Sequence, residues 1–253
     1  MQDVMTYVLI HGLIAAFFTS LGSMAVLIKR VISERWVKSS LGFAAGVMLV
    51  TSFTSLILPA MDYGYYVETG IGILLGLLLI VFMDKVIPHQ HDIVGYEGLS
   101  VFKGKWRKTW LLIIAMIIHN IPEGLAIGVT TVYDKLLGFS TTIAIGIQDI
   151  PEGAAVSIPL MSIGYKRSKA IAIGIISGLV ELCAALISAL LFYQGGLILG
   201  LGMGLAGGAM IYVVVEELLP EIFHEKSGDR LYSTIGFFVG FYLMLYLELL
   251  LGK

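Results

Sequence analysis

The sequence predicts an all-α, polytopic membrane bundle of eight transmembrane helices, with inverted-repeat pseudo-symmetry and both termini outside. Three observations carry that prediction: the composition, the spacing of the apolar runs and the sidedness of the basic residues. Of 253 residues, 58% are hydrophobic and 13% charged, and the mean hydropathy is +0.93. One soluble core of this length cannot bury so much apolar surface, so the chain needs lipid as a solvent. A net charge of -2 gives no basic field for nucleic acid. A single cysteine, Cys183, excludes a disulfide framework and a thiolate metal site. We expect one integral membrane domain over residues 1–253, with a cytoplasmic loop at about 86–108.

A helix rises about 1.5 Å per residue and the hydrocarbon core is about 30 Å thick, so a span needs roughly 20 apolar residues. The first such run, Val4–Leu27, has no basic segment before it and no small-residue cleavage pattern, and reads as a span rather than a signal peptide. Ser39–Pro59 is the second. Val67–Asp84 is the third and the weakest, because Gly70, Gly72 and Gly76 lower its helix propensity. Trp110–Tyr133 and Leu137–Ile163 follow, each with a polar motif near its middle. Ala170–Tyr193 carries Gly174 and Gly178 four apart, a small-residue face suited to close packing. Gly195–Leu219 repeats glycine at 196, 200, 204 and 208, a ridge for close approach by a neighbouring helix. Leu231–Leu251 completes the set.

The connections fix the orientation. Fourteen of the 16 basic residues fall on one side, all but Lys135 and Lys253, and the positive-inside rule makes that side cytoplasmic. The outer side carries Asp3, Asp62, Glu68 and Asp134, either a mild attractant for cations or ordinary solvated acids. In the long cytoplasmic loop, Pro88-His89-Gln90-His91-Asp92 is too polar to span; His89 and His91 either hold a metal loosely or are simply solvated.

Four acids, Glu123, Asp149, Glu152 and Glu181, fall near the middle of spans four, five and six. Insertion scales put each at roughly 2.5 to 3.5 kcal/mol when ionised and alone. Every Lys and Arg sits in a loop or at a span edge, so the compensating cation must come from outside the chain, as protons or a metal.

Spans four and five share a pattern, His119-Asn120-Ile121-Pro122-Glu123-Gly124 and Gln148-Asp149-Ile150-Pro151-Glu152-Gly153. Residues four apart stack on one helical face, which pairs His119 with Glu123 and Gln148 with Glu152. Asn120 and Asp149 lie about 100° around and serve the edge of the same interface. Each proline frees the carbonyl four residues back, at Ile118 and Ile147, a break tolerated at membrane depth only where it faces protein or a wet cavity. Because the two spans run in opposite directions, the motif copies are antiparallel and meet at matching depth. Close packing of span six would add Glu181. One imidazole, several carboxylates and two amide oxygens suit Zn²⁺, Fe²⁺, Mn²⁺ or Cd²⁺; the missing thiolate argues against Cu⁺, and Ca²⁺ or Mg²⁺ would not need His119. The chain therefore reads as a transporter of divalent transition metal ions, zinc first, with the metal as substrate and no prosthetic group.

Two rivals stand beside it. In an intramembrane zinc-dependent hydrolase, His119 and Glu123 would hold zinc while Glu152 activated water; this explains a metal but not the repeat, and no His-Glu-x-x-His occurs. A proton-coupled carrier of an organic solute would use the acids as a relay, but the cluster has no basic group to hold an anion. No Gly-x-x-x-x-Gly-Lys-Ser/Thr motif is present to drive transport with ATP.

On these residues the sequence resembles the ZIP (Zrt/Irt-like) family of metal-ion transporters, whose fourth and fifth spans carry His-Asn-x-Pro-Glu-Gly and His-x-x-Pro-Glu-Gly. The resemblance implies a bundle with inverted pseudo-symmetry around a transport site for two metals. Carried onto this chain, it implies one site from His119, Glu123, Gln148 and Glu152, and an adjacent one from Asn120, Asp149 and Glu181 with Glu123 and Glu152 shared. Gln148 stands where most members have histidine, and its amide oxygen is a weaker ligand for a borderline metal. That glutamine and the short termini resemble the bacterial, GufA-like branch. The resemblance also implies a candidate exit site at Asp84 and Glu217, beside Glu216, a homodimer, and residence in the plasma or inner membrane of the cell. His11, Glu248 and His224 read as interhelical or interfacial polar residues.

Overall fold

Helix α1 (Gln2–Ser23) tightens into a 3₁₀ turn, Met24–Leu27, and is followed by α2 (Glu34–Thr51), α3 (Tyr66–Val86), α4 (Lys105–Tyr133), α5 (Lys135–Ser162), α6 (Arg167–Phe192), α7 (Leu197–Tyr212) and α8 (Arg230–Leu251). The structure, a computed structural model, describes residues 2–28, 33–86, 89–91, 95–97, 105–223 and 230–251. Local chemistry sets several of these ends. Ser33 caps α2 by accepting the Trp36 N–H, and the Asp134 carboxylate caps α5 by accepting the Leu136 and Leu137 N–H groups at 2.9 and 2.8 Å.

Seven helices among the described residues, all of those above except α5, are long and apolar enough to cross a membrane. At 28 residues α5 has the length, but its Gln148, Asp149 and Glu152 lower its hydropathy. It faces protein rather than lipid, with α1, α2, α4 and α6 packed against it and residues from Leu137 to Leu160 buried along it. A polar helix is stable at that place because neighbouring helices, not hydrocarbon, surround it.

The packing repeats with inversion. Helix α3 rests mainly on α7, and correspondingly α8 rests on α2; α4 rests on α6, and α5 on α1. Both α2 and α7 pass through a π-helical turn, Ser52–Ile57 and Val213–Leu218, in which the Leu58 and Leu219 N–H groups bond to the carbonyls of Phe53 and Val214. In each, a Leu-Pro step follows directly, Leu58-Pro59 and Leu219-Pro220. A proline cannot donate to the carbonyl four residues back, and the wider turn accommodates that loss.

Glycine sets the approach distances. A Cβ on Gly72 or Gly76 would run into the Leu201 or Leu205 carbonyl oxygen of α7, and one on Gly204 or Gly208 into the Thr69 or Ile73 carbonyl of α3. Gly72 and Gly76 are two of the three glycines expected to make span three weak, and the close backbone packing they permit offsets their poor propensity, while a Cβ on Gly70 would meet nothing. The expected glycine ridge of span seven is shorter than the sequence pattern, since Gly196 is the helix cap at φ +60° and meets no neighbouring helix. In the long loop between α3 and α4, His89–His91 pairs antiparallel with Gly95–Glu97. The His89 and His91 side chains, and His224, lie outside what the structure describes.

Candidate metal centre

Helices α4 and α5 present their motifs to each other at the middle of the bundle. All nine sequence-predicted site residues are buried: His119, Asn120 and Glu123 on α4, Gln148, Asp149 and Glu152 on α5, Glu181 on α6, Glu217 in the π turn after α7, and Asp84 near the end of α3. The glycine that ends each motif explains the closeness. A Cβ on Gly124 would strike the Glu181 carbonyl of α6, and one on Gly153 would strike the Thr19 carbonyl of α1. The two Pro-Glu-Gly turns are thus seated on equivalent helices, with Glu181 beside one and Thr19 beside the other.

Carboxylate oxygens of Glu123, Asp149 and Glu152 lie within 4.8 Å of one another. Two oxygens on one transition-metal ion, each at about 2.1 Å, stand at most about 4.2 Å apart, so a small inward movement would let these three supply most of a four-coordinate shell. Gln148 Nε2 donates to Glu123 Oε1, which turns the glutamine amide oxygen away from that bond. Asn120 Nδ2 donates to the Ser177 carbonyl and hydroxyl oxygens of α6 at 2.9 and 3.1 Å, committing its nitrogen and leaving its oxygen out of both bonds. The Asp149 and Glu181 carboxyl groups stand against each other, an arrangement that calls for a shared proton or a cation.

Seven buried oxygens in this cluster have no hydrogen-bond donor among the described residues: Glu123 Oε2, Gln148 Oε1, both of Asp149, Glu152 Oε2 and both of Glu181. No Lys or Arg is buried among the described residues. Buried polar groups are ordinarily paired, and a set of acceptors converging without donors is what a cation site looks like before the cation arrives.

His119 lies four residues before Glu123 on the continuous helix α4, as the spacing predicts, and has a further partner. Its Nε2 bonds to Glu217 Oε2 across the α4–α7 interface, and Glu152 and Asp84 lie within its electrostatic reach. The central cluster and the candidate exit residues are therefore continuous through one imidazole. Spacing along α4 shows which face His119 occupies but not which neighbour it meets, and Glu217 lies 98 positions away in sequence.

Two of the three polar residues set aside at the sequence level, Glu248 and His11, make interhelical bonds. Glu248 Oε2 accepts from Thr54 and Ser55 at 2.9 and 2.8 Å, joining α8 to the π turn of α2. His11 Nδ1 meets Thr131 Oγ1 at 2.8 Å, joining α1 to α4.

Comparison with known proteins agrees with this geometry. The family model described as ZIP Zinc transporter matches residues 96–248, which include both motifs. The chain is 38% identical to Zinc transporter ZIPB of Bordetella bronchiseptica over 97% of its own length and 82% of that protein's. It is 33% identical to Zinc transporter GufA of Myxococcus xanthus, covering 96% and 98% of the two chains. With Zinc transporter ZupT of Corynebacterium glutamicum the identity is 32%, over 92% and 94%. On its repeated motif, its buried donor set and these relatives, the chain belongs to the ZIP family of transporters.

Proposed function

We propose that this protein carries zinc across the cell membrane into the cytoplasm, as a single multi-pass transporter domain working by alternating access. The observation that carries this reading is the cluster of seven buried oxygens on Glu123, Gln148, Asp149, Glu152 and Glu181 that find no donor among the described residues, where no Lys or Arg is buried to neutralise them. The relatives' names point to zinc as the ion. Cadmium, ferrous iron and manganese satisfy the same donor chemistry and are the competitors to test.

An ion arriving from the outer side exchanges its water for His119, Glu123, Gln148 and Glu152. Asn120, Asp149 and Glu181, with the same two glutamates, form an adjacent position for a second ion. His119 then supplies the step toward the cytoplasm. Its imidazole turns between the central carboxylates and Glu217, and Glu217 with Asp84 receives the ion. The imidazole must be neutral and the carboxylates ionised for either position to fill.

The hydrolase alternative gains nothing: the chain belongs to a transporter family, and a hydrolase does not account for the motif repeated on α4 and α5. A homodimer belongs to this reading on the family resemblance and is tested by mass measurement in nanodiscs. The direct test of transport is zinc influx into liposomes that enclose a zinc-sensitive dye. Saturable influx supports a carrier, and none from folded protein refutes it.

A further inference from the structure

On the cytoplasmic half of the molecule, α2, α5 and α8 leave a groove of about 250 Å³. Its walls include Trp36, Ser40 and Phe43 of α2, Pro151 of α5, and Ile235 and Val239 of α8. Trp36, Ile235 and Val239 are 43%, 49% and 53% exposed, so the groove opens laterally, toward the hydrocarbon. At the roughly 30 Å³ that a water-sized group occupies, it has room for about eight methylene units.

Among the described residues, the starts of two helices that wall it, α2 and α8, carry cations. Arg35 and Arg230, at the starts of α2 and α8, are both exposed, and Lys38 is half-buried one turn further in. The Arg35 guanidinium lies over the Tyr232 ring at 5.2 Å, which holds the charged ends of α2 and α8 side by side above the groove. Trp36 lies two residues before the apolar span that begins at Lys38, a flank that tryptophan favours, and its backbone N–H on the Ser33 cap fixes it in the first turn of α2.

We propose that this groove is a binding site for an anionic phospholipid of the cytoplasmic leaflet, with the acyl chain against Trp36, Phe43 and Val239 and the phosphate at Arg35 and Arg230. Charge and depth coincide: an apolar trough in the inner leaflet ends at cations at the headgroup level, where a lipid carries its negative charge. Trp36, Ser40 and Pro151 also wall a smaller cavity of about 30 Å³, room for one water, which ends at Glu152. The bound chain therefore lies one layer of side chains from the transport cluster.

The test reads lipid contact directly and does not depend on transport. The protein has three tryptophans, and a Trp106→Phe, Trp110→Phe background leaves Trp36 as the sole fluorophore. This protein is reconstituted in nanodiscs containing equal mole fractions of phosphatidylglycerol and phosphatidylcholine, one or the other brominated on its chains. We expect brominated phosphatidylglycerol to quench Trp36 several-fold more strongly than brominated phosphatidylcholine. Arg35→Gln with Arg230→Gln should bring that preference close to unity, since each charge near the surface is worth about fivefold in affinity and two together exceed the preference itself. Val239→Phe fills the groove, leaves the cations in place and should weaken quenching by brominated phosphatidylglycerol. Equal quenching by the two lipids overturns the proposal in favour of ordinary bulk contact. Protection from both, as when a second copy covers the face, also overturns it, as does an undiminished preference in Val239→Phe.

Discussion

His119 Nε2 on α4 is hydrogen-bonded to Glu217 Oε2 beyond α7, so the imidazole nearest the central acids is held by a carboxylate of the candidate exit. A ligand that bonds to the next residue along a path can release its ion toward that residue without leaving the ion bare. The pairing joins two groups that the sequence places in separate sites.

Glu217→Gln should therefore slow turnover more than it weakens zinc binding. Replacing the partner of a ligating histidine typically costs ten- to a hundredfold in affinity or activity; here we expect the loss chiefly in maximal influx rate. Comparing influx kinetics with zinc binding by calorimetry separates the two, and equal losses in both would place Glu217 among the binding ligands instead.

Zinc should stabilise the fold, because it supplies the charge that the buried acceptors lack. At a free concentration a hundred times the dissociation constant, one site contributes about 2.7 kcal/mol, a rise in Tm of several degrees. Asp149→Asn removes one of the opposed acids, so the metal-free protein should melt higher and gain less from zinc. Thermal unfolding in detergent, with and without metal, checks both directions. A metal-free Asp149→Asn protein less stable than wild type would mean that the Asp149–Glu181 pair is already satisfied.

Acid should compete with zinc. The ligands bind metal as carboxylates and neutral imidazole, so protons stabilise the empty site and the apparent dissociation constant rises as pH falls. If each bound ion displaces at least one proton, binding weakens by about tenfold per pH unit in the acid limb. Binding isotherms at several pH values measure the slope, and a flat dependence from pH 7 to 5 would contradict ligation by these residues.

Gly204→Leu should disrupt the α3–α7 pair, since its first side-chain carbon meets the Thr69 carbonyl oxygen, backbone that cannot rotate away. Overpacking of this kind typically costs about 1–3 kcal/mol. Thermal unfolding measures the loss. Unchanged stability would show that the two helices separate freely.

Much of this was legible in the sequence because it rests on short-range periodicity. Apolar run length gave eight helices, and the four-residue spacing of Gln148 and Glu152 placed two candidate ligands on one face of α5. The antiparallel motif copies also anticipated the meeting of Glu123, Asp149 and Glu152. The His119–Glu217 bond could not be read, because it depends on how α7 is placed against α4 and no local pattern encodes that. The π turns of α2 and α7 left only the faint trace of Leu-Pro in both helices, meaningful once the packing shows them to be equivalent. Gly196 misled for the opposite reason: it continues the four-residue pattern of Gly200, Gly204 and Gly208, yet its positive φ belongs to the preceding turn.

The central claim is that zinc crosses through the carboxylates of the two motifs, and paired influx measurements test it most directly. Wild type, Glu123→Ala and Glu152→Ala are reconstituted in dye-loaded liposomes at matched, folded protein density. The account predicts saturable zinc influx in wild type and its loss in both variants. Influx that persists in either variant at the wild-type rate would contradict it.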